Sequence, residues 1–192
     1  MFIFPRVKFE CTLCGECCRR YWIPITHIDI LRISKYTGMD IKEFTALFPK
    51  EYTTEWSYPV IKLRDGEFYL VLRKNIDSSC IFNKRIDDKL ICSIHPVKPY
   101  ICRFYPFVYW EDKGIVKFEI YEKAYPFCPG IGYGFYNDFK VEVKSLLEIK
   151  KAKYEYQVII THWNRLVDSN LVEGTIEEFY TYLGKVCFRE LE

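Results

Sequence analysis

Cys11-Thr-Leu-Cys14-Gly-Glu-Cys17-Cys18 places four thiols within eight residues near the start of the chain. A two-residue gap lets a tight turn aim two thiolates at one metal, and Gly15 suits a backbone position that needs a positive φ. Thiolates select zinc, copper(I) or iron–sulfur clusters over hard cations. Cys11, Cys14 and Cys17 repeat part of a ferredoxin ligand run, but the usual fourth Cys followed by Pro is missing locally. Cys128-Pro129 can supply it from a distance, as can Cys80, Cys92 or Cys102. Adjacent side chains diverge in an extended chain, so Cys17 and Cys18 more naturally serve two centres than one. The eight cysteines from Cys11 to Cys128 then divide into two groups of four, suiting two all-cysteine zinc sites or two clusters. The division can be made in many ways. The competing reading is a set of buried thiols or disulfides.

Cys92-Ser-Ile-His95-Pro96-Val-Lys98-Pro99-Tyr-Ile-Cys102-Arg103 is the second dense stretch. Pro96 and Pro99 stiffen the backbone that carries Cys92 and Cys102. Imidazole accepts zinc readily, yet His95 reads better as a packed histidine or a hydrogen-bond partner of a ligand. Arg103, beside a thiolate, either stabilises an anionic site or pairs with a surface carboxylate. Cys187 stands alone near the C-terminus and reads as a buried free thiol.

The elements that must position these residues follow from caps and periodicity. Thr26-His27-Ile28-Asp29 has the form of a capping box, with Gly38 as a stop. Asp40-Ile41-Lys42-Glu43 opens a second short helix, ended by Pro49. Three hairpins are expected: 59–73 turning at Asp65-Gly66, 78–92 turning near Arg85-Ile86-Asp87-Asp88, and 105–121 turning at Asp112-Lys113-Gly114. From Asn137 to about Val167, Phe139, Val143, Leu146, Leu147, Ile149 and Tyr154 recur near helical spacing. Thr175-Ile176-Glu177-Glu178 opens a last helix ending near Gly184. The fold class is α+β: short β-hairpins around a cysteine-ligated metal core, with flanking helices and a helical C-terminal extension. Residues 1–135 form the cysteine-bearing domain, and 136–192 the extension packed on it.

Composition narrows the class. The chain has 192 residues, is 49% hydrophobic and 28% charged, and carries 16 Tyr and 15 Phe. That supplies enough apolar surface to exclude a disordered protein, and rings must fill a core or an interface. The net charge of +2 lacks the basic excess of a phosphate-neutralising protein, so nucleic acid is not indicated. No 18-residue apolar run suggests a membrane span. The opening lacks an apolar h-region behind a basic n-region, so no secretory signal is expected. Nine cysteines in a chain large enough to fold without staples favour thiolate ligands in a reducing cytoplasm over a disulfide scaffold. A single Gln (Gln157), two Met and abundant Lys, Glu, Ile and Tyr lean towards a thermophile, where disulfides can persist inside cells.

With these motifs in place, the chain resembles a known family. C-x2-C-G-x-C-C, the single Cys80 and Cys92, the stretch Pro96-Val-Lys98-Pro99-x2-Cys102-Arg103-x2-Pro106-Phe107, and Cys128-Pro-Gly-x-Gly-x-Gly together resemble the YkgJ-type cysteine-cluster proteins, named for a zinc- or iron-chelating CxxCxxCC domain. The resemblance covers residues 9 to about 135 and implies that Cys11, Cys14, Cys17, Cys18, Cys80, Cys92, Cys102 and Cys128 form one or more metal sites. The family commonly has Arg-Pro at Lys98-Pro99 and often Tyr at His95, which argues against His95 as a required ligand. It includes longer flagellin lysine N-methylases. No G-x-G-x-x-G lies between a strand and a helix, and Gly130-Ile-Gly132-Tyr-Gly134 reads as a turn supporting Cys128. The radical-SAM spacing C-x3-C-x2-C is absent.

Iron–sulfur, as 4Fe-4S, is the first expectation for the cofactor, because eight thiolates without a histidine partner match cluster ligation. Structural zinc is second. Three functions follow: a binding or scaffold module for another protein or a larger complex, a protein-lysine N-methyltransferase or a subunit of one, and an electron-transfer or redox-sensing protein. The remaining candidates read as structural. His27 is expected to be exposed in a first helical turn, and His162 and Trp163 to pack a core or a partner. Lys140, Lys144, Lys150, Lys151 and Lys153, interleaved with Glu142, Glu148 and Glu155, form a solvated face. Asp29, Glu43 and Glu178 are helix-start acids.

Overall fold

The computed structural model describes residues 1–53, 56–87 and 89–188. In chain order the elements are β1 (Phe2–Ile3), β2 (Lys8–Phe9), α1 (Glu16–Arg20), α2 (His27–Thr37), α3 (Ile41–Phe44), β3 (Thr45–Pro49), β4 (Ile61–Leu63) and β5 (Gly66–Leu72). They continue with β6 (Asn83–Ile86), β7 (Lys89–Cys92), α4 (Tyr100–Phe104), β8 (Phe107–Asp112), β9 (Ile115–Ile120), β10 (Ile131–Tyr136), α5 (Lys140–Asp168) and α6 (Ile176–Phe188). This is a mixed α+β protein with small sheets and a helical C-terminal region. The chain divides into two compact units, each made of two segments: residues 1–21 with 74–147, and residues 22–73 with the chain from Glu148.

The first unit holds all eight cysteines from Cys11 to Cys128. Its largest sheet is a β8–β9 hairpin extended by β1, which runs parallel to β9 with Phe2 opposite Val116. The hairpin turns at Lys113 and Gly114, with φ of 47° and 77°, the paired left-handed residues that match the twist of two strands. Two further ribbons, β2–β10 and β6–β7, carry the chain to and from the cysteines. Behind them lies a phenylalanine core. Phe139 stacks on Phe4 at 4.9 Å and meets Phe107 edge-on at 4.9 Å, while Phe118 touches Phe4, Phe104 and Phe139. Phe104, Phe107, Phe118 and Phe139 are all buried, each contributing about 1.5–3 kcal/mol of transfer free energy. Phe139 reaches this position from a left-handed backbone, φ 58°, steadied by its N–H donating to Asn137 Oδ1 at 2.9 Å.

The second unit packs helices on an antiparallel sheet in the order β3–β5–β4. Thr26 donates to Asp29 Oδ2 from its N–H and its hydroxyl, at 3.0 and 3.1 Å, and α2 ends at Gly38 with φ 73°. Asp40 with Glu43 and Thr175 with Glu178 cap α3 and α6, so the three acids serve as helix starts. Trp163, Tyr156, Phe44, Phe179, Ile30 and Leu183 fill the core. Trp163 Nε1–H donates to the Lys62 carbonyl at 2.8 Å. Asn164 acts as a surrogate strand against β4: it accepts from Lys62 N–H at 2.9 Å and donates to the Val60 carbonyl at 2.8 Å.

Several expectations need correction. The helix opened by Asp40 stops at Phe44, and Thr45–Pro49 is a strand paired with β5, because Thr45–Leu72 through Pro49–Phe68 satisfy its backbone. The last helix runs through Gly184 to Phe188, since Tyr180, Leu183 and Cys187 continue one buried stripe past the glycine. Leu147 and Tyr154 are exposed on α5. His27 is buried; its ring stacks on Tyr156 and its Nε2 lies 3.5 Å from Glu155. Lys153 leaves the solvated face to donate to Ser57 Oγ and lie over Tyr58, and burial lowers its pKa. Of the second hairpin's expected turn, Arg85 and Ile86 belong to β6, Asp87 has φ 52°, and Asp88 lies outside the described residues.

Asn164→Ala should lower stability by about 1–3 kcal/mol, the cost of leaving two half-buried backbone groups unpaired. Chemical denaturation measures the loss, and faster amide exchange at Lys62 locates it.

Candidate metal centre

The N-terminal cysteines are shaped by glycine. Gly15 takes φ 72° ahead of α1, and a Cβ there would fall 2.4 Å from Leu90 Cδ1 on β7. Leu13, also left-handed at φ 57°, accepts a bond from Leu90 N–H at 3.3 Å. The loop carrying Cys11 and Cys14 is thereby seated on the strand that ends in Cys92. Beyond Gly15 the chain enters a single helical turn. Cys17 and Cys18 are therefore helical neighbours, and the divergence expected of an extended chain does not occur: their sulfurs lie 3.8 Å apart.

Backbone bonds gather the remaining cysteines. Cys80 N–H donates to the Cys18 carbonyl at 3.1 Å, and Asn83 N–H donates to the Cys80 carbonyl at 2.8 Å. Asn83 stands opposite Cys92 in the β6–β7 ribbon. Cys102 follows on α4, just after Pro99, its sulfur enclosed although the residue as a whole is half-buried. On the other side, Glu10 N–H donates to the Gly130 carbonyl at 3.2 Å, which brings Cys11 alongside Cys128. The Gly130–Gly134 stretch is strand β10 with an irregular register against β2. A Cβ on Gly130 would fall 2.2 Å from the Glu10 carbonyl oxygen, so only glycine admits this close approach.

The electrostatics identify neighbours. Cys18, Cys80, Cys92 and Cys102 lie within electrostatic reach of one another, every pair included. Cys11 reaches Cys17, Cys92 and Cys128, Cys14 reaches Cys128, and Cys17 reaches Cys102 as well as Cys18. Lys74 faces Cys18 and Cys80, and Lys98 faces Cys18, Cys92 and Cys102. Burial pushes the Cys80 thiol up to about 12 and raises Cys92, Cys102 and Cys128 in the same direction. Within the vicinal pair, one S–H is shared between the Cys17 and Cys18 sulfurs at 3.8 Å. That bond raises Cys17 and brings Cys18 down to about 7, with Asn83, Lys98 and Lys74 assisting.

A repeated local device opposes the burial cost. The N–H two residues on points at the sulfur in three places: Phe82 at Cys80, Ile94 at Cys92, and Gly130 at Cys128. An N–H donor is worth about twice as much to a charged acceptor as to a neutral one, so this turn is built for a thiolate. The donor set fits a soft metal: eight free thiols in one unit, N–H donors on three, and lysines beside the deepest. Among the described residues, no group of three or more His, Cys, Asp or Glu side chains is placed closely enough to hold a metal ion. The thiols are gathered rather than locked.

The other candidates lie elsewhere or act otherwise. His95 is exposed, pushed towards its neutral form by partial burial and then by Lys98 and Arg103. Arg103 donates to the Pro96 carbonyl and lies over Tyr100. His162 is exposed and meets Tyr182 through Nδ1 at 3.0 Å. Cys187 is a free thiol, 2% exposed, on α6 of the second unit. Sequence reasoning missed Lys74 and Asn83, whose only signal is that each lies within a few residues of Cys80.

A scan against protein families matches residues 10–129 to the family described as "CxxCxxCC: Putative zinc- or iron-chelating domain". The chain belongs to this family. The match spans every thiol of the gathered set, so metal binding rests on the family and on the donor chemistry together. No curated protein and no solved structure matches the chain. Among the described residues no helix is long and apolar enough to cross a membrane.

Metal uptake by the cysteine unit should strengthen as pH rises through neutrality. The raised thiols keep their protons there, and each must be displaced by the metal. Each further proton displaced by the metal steepens the dependence of log affinity on pH. Competition titration with a chromophoric chelator reads both effects, and Cys187→Ser should leave the curve unchanged.

Gly15→Ala combines a left-handed penalty of about 1–2 kcal/mol with displacement of Leu90. Gly38→Ala carries a similar φ of 73° with nothing within 4 Å, and serves as the control. Thermal melts and metal content should fall further for Gly15→Ala than for Gly38→Ala.

Proposed function

We propose that the cysteine unit is a metal-loaded module that works in the reducing cytoplasm, with iron–sulfur as the centre its thiols favour and zinc next. The all-sulfur donor set carries this reading. Eight free thiols belong to one unit, and Cys11, Cys14 and Cys17 keep the spacing of a cluster run. Nine thiols that are all free fit a reducing compartment. An iron–sulfur centre supplies reversible one-electron transfer when bound, whereas zinc supplies only folding free energy.

The chain's own residues hold the centre and tune it. Phe82, Ile94 and Gly130 N–H groups stabilise thiolates, Lys74 and Lys98 offset the charge, and the phenylalanine core gives the ligand loops a firm base. The role is that of a binding or scaffold module for another protein. Tyr125, Tyr133, Phe135 and Tyr136 of this unit are all more than half exposed, and such rings are the side chains that anchor protein interfaces.

Anaerobic purification without added metal, followed by iron, zinc and sulfide analysis and a visible spectrum, tests the reading. Iron with acid-labile sulfide and a broad band near ~400 nm is the expected result for thiolate-ligated clusters. Colourless zinc-only protein would replace the cluster by structural zinc and keep the thiolate site. Metal-free protein with oxidised thiols would overturn both.

A further inference from the structure

We propose that the first unit carries a ligand site of a different kind: a cavity beside α1 and β6 that binds a phosphate monoester through Arg19, Arg85 and the Asn83 amide.

The cavity has a volume of about 630 Å³ and is lined only by residues of this unit. That is the size of a small-molecule site. Strand β6 builds one wall. Side chains alternate across a strand, so Asn83 and Arg85 share a face, and Leu90 of β7 stands opposite Arg85 in the register. All three line the cavity, whereas Lys84 and Ile86, on the other face, do not. The loop 74–79 builds a second wall and is closed on itself. Asn75 N–H donates to the Ser79 carbonyl at 2.8 Å, the Asn75 amide donates to Ser79 Oγ at 3.0 Å, and Lys74 and Cys80 form an isolated bridge. The Lys74 ammonium donates to the Arg19 carbonyl, which ties this loop to α1. Walls fixed in this way spare a ligand much of the ordering cost of binding.

The charge around the space is positive. Arg19, Lys74 and Arg85 line it, with Asp77 as the single acid. Asp77 is already engaged: Ser79 donates to its Oδ1 from the N–H at 3.0 Å and from the hydroxyl at 2.6 Å. Lys74 is shared with the thiols, since Cys18 and Cys80 lie within its electrostatic reach. Two guanidinium groups are left for a ligand. Glu16 lies 2.9 Å from Arg20 but 3.9 Å from Arg19, and Arg85 makes no ion pair among the described residues. Asn83 Nδ2 is enclosed and makes no hydrogen bond, although it lies near enough to Cys18 to favour that thiolate. It carries two N–H groups, and an enclosed donor without an acceptor is costly.

A phosphate monoester answers both features. It carries nearly two negative charges at neutral pH and three strong acceptor oxygens. Two guanidinium forks match that charge and geometry, and a third oxygen can accept from Asn83. A carboxylate brings half the charge. Ile76, fully exposed at the tip of the loop, and Leu90 supply apolar surface for the organic group of an ester.

Calorimetric titration of the full chain as purified tests the site with three probes: phenyl phosphate, inorganic phosphate and benzoate. Phenyl phosphate should bind at one site per chain, and the other two more weakly. Arg85→Gln should weaken phenyl phosphate about tenfold or more, the loss expected for one hydrogen bond to a charged group. Lys84→Gln, on the opposite face of β6, should leave the affinity unchanged. Titration of the wild-type chain should also shift the Asn83 side-chain amide signals in nitrogen–proton spectra. Absence of saturable binding by every probe, equal weakening in the two variants, or unmoved Asn83 signals would overturn the site. Benzoate binding as tightly as phenyl phosphate would overturn the phosphate assignment, and inorganic phosphate binding as tightly would overturn the ester in favour of the free ion. The wild-type Asn83 signals decide the matter even where Arg85→Gln fails to fold.

Discussion

Sulfur desolvation is the constraint on which the cysteine unit depends. A thiol pressed into a protein interior resists ionisation, and a thiolate there needs compensation from donors, cations or a metal. This chain supplies the first two from its backbone path. The same two-residue step aims an N–H at Cys80, Cys92 and Cys128, three positions far apart in sequence. Two lysines from different segments, Lys74 and Lys98, approach the deepest sulfurs. Short ribbons and single-turn helices suit this task, because a ligand loop must bend sharply at each sulfur, and long regular elements would carry the thiols apart.

Local signals in the sequence reported local structure well. The capping boxes at Thr26 and Asp40, the turn at Lys113-Gly114 and the long amphipathic helix occur, and the hairpin expected to turn at Asp65-Gly66 turns one residue earlier, at Arg64-Asp65, with Gly66 paired to Leu63. Those features depend on residues within one turn or one hairpin. What the sequence concealed depends on distant partners. Thr45–Pro49 has no strong strand pattern and becomes a strand because β5 offers it an edge. Phe2-Ile3 is too short to read as a strand at all, yet it pairs with β9. His27 looked exposed because its burial is decided by Tyr156 and Glu155, over a hundred residues away.

The site was legible in composition and spacing, and opaque in geometry. All-cysteine spacing pointed to a soft metal, and the family match covers the same thiols. The vicinal pair shows where reasoning from an extended chain fails. Gly15, in its left-handed conformation, starts a helical turn that the motif alone does not announce, and that turn sets the two sulfurs side by side. Lys74 and Asn83 carry no motif. Their role follows only from the fold of the 74–92 segment back onto α1.

The phenylalanine core explains why metal and fold need not be equivalent in this unit. Small zinc domains unfold without their ion because they bury little else. Here Phe104, Phe107, Phe118 and Phe139 are buried together, and Phe107 and Phe118 lie on β8 and β9, whose pairing does not pass through a cysteine. That core can hold β8, β9 and the start of α5 whatever the state of the sulfurs. The segments from Glu10 to Arg20 and from Lys74 to Cys92 lack such backing. They are held by the short β6–β7 ribbon, by single backbone bonds to the N-terminal loop, by Leu90 against Gly15, and by the sulfurs themselves. Metal loss should therefore be felt first in those segments, while the ring cluster persists. A module organised in this way can register its metal as a local change of surface on a base that stays folded.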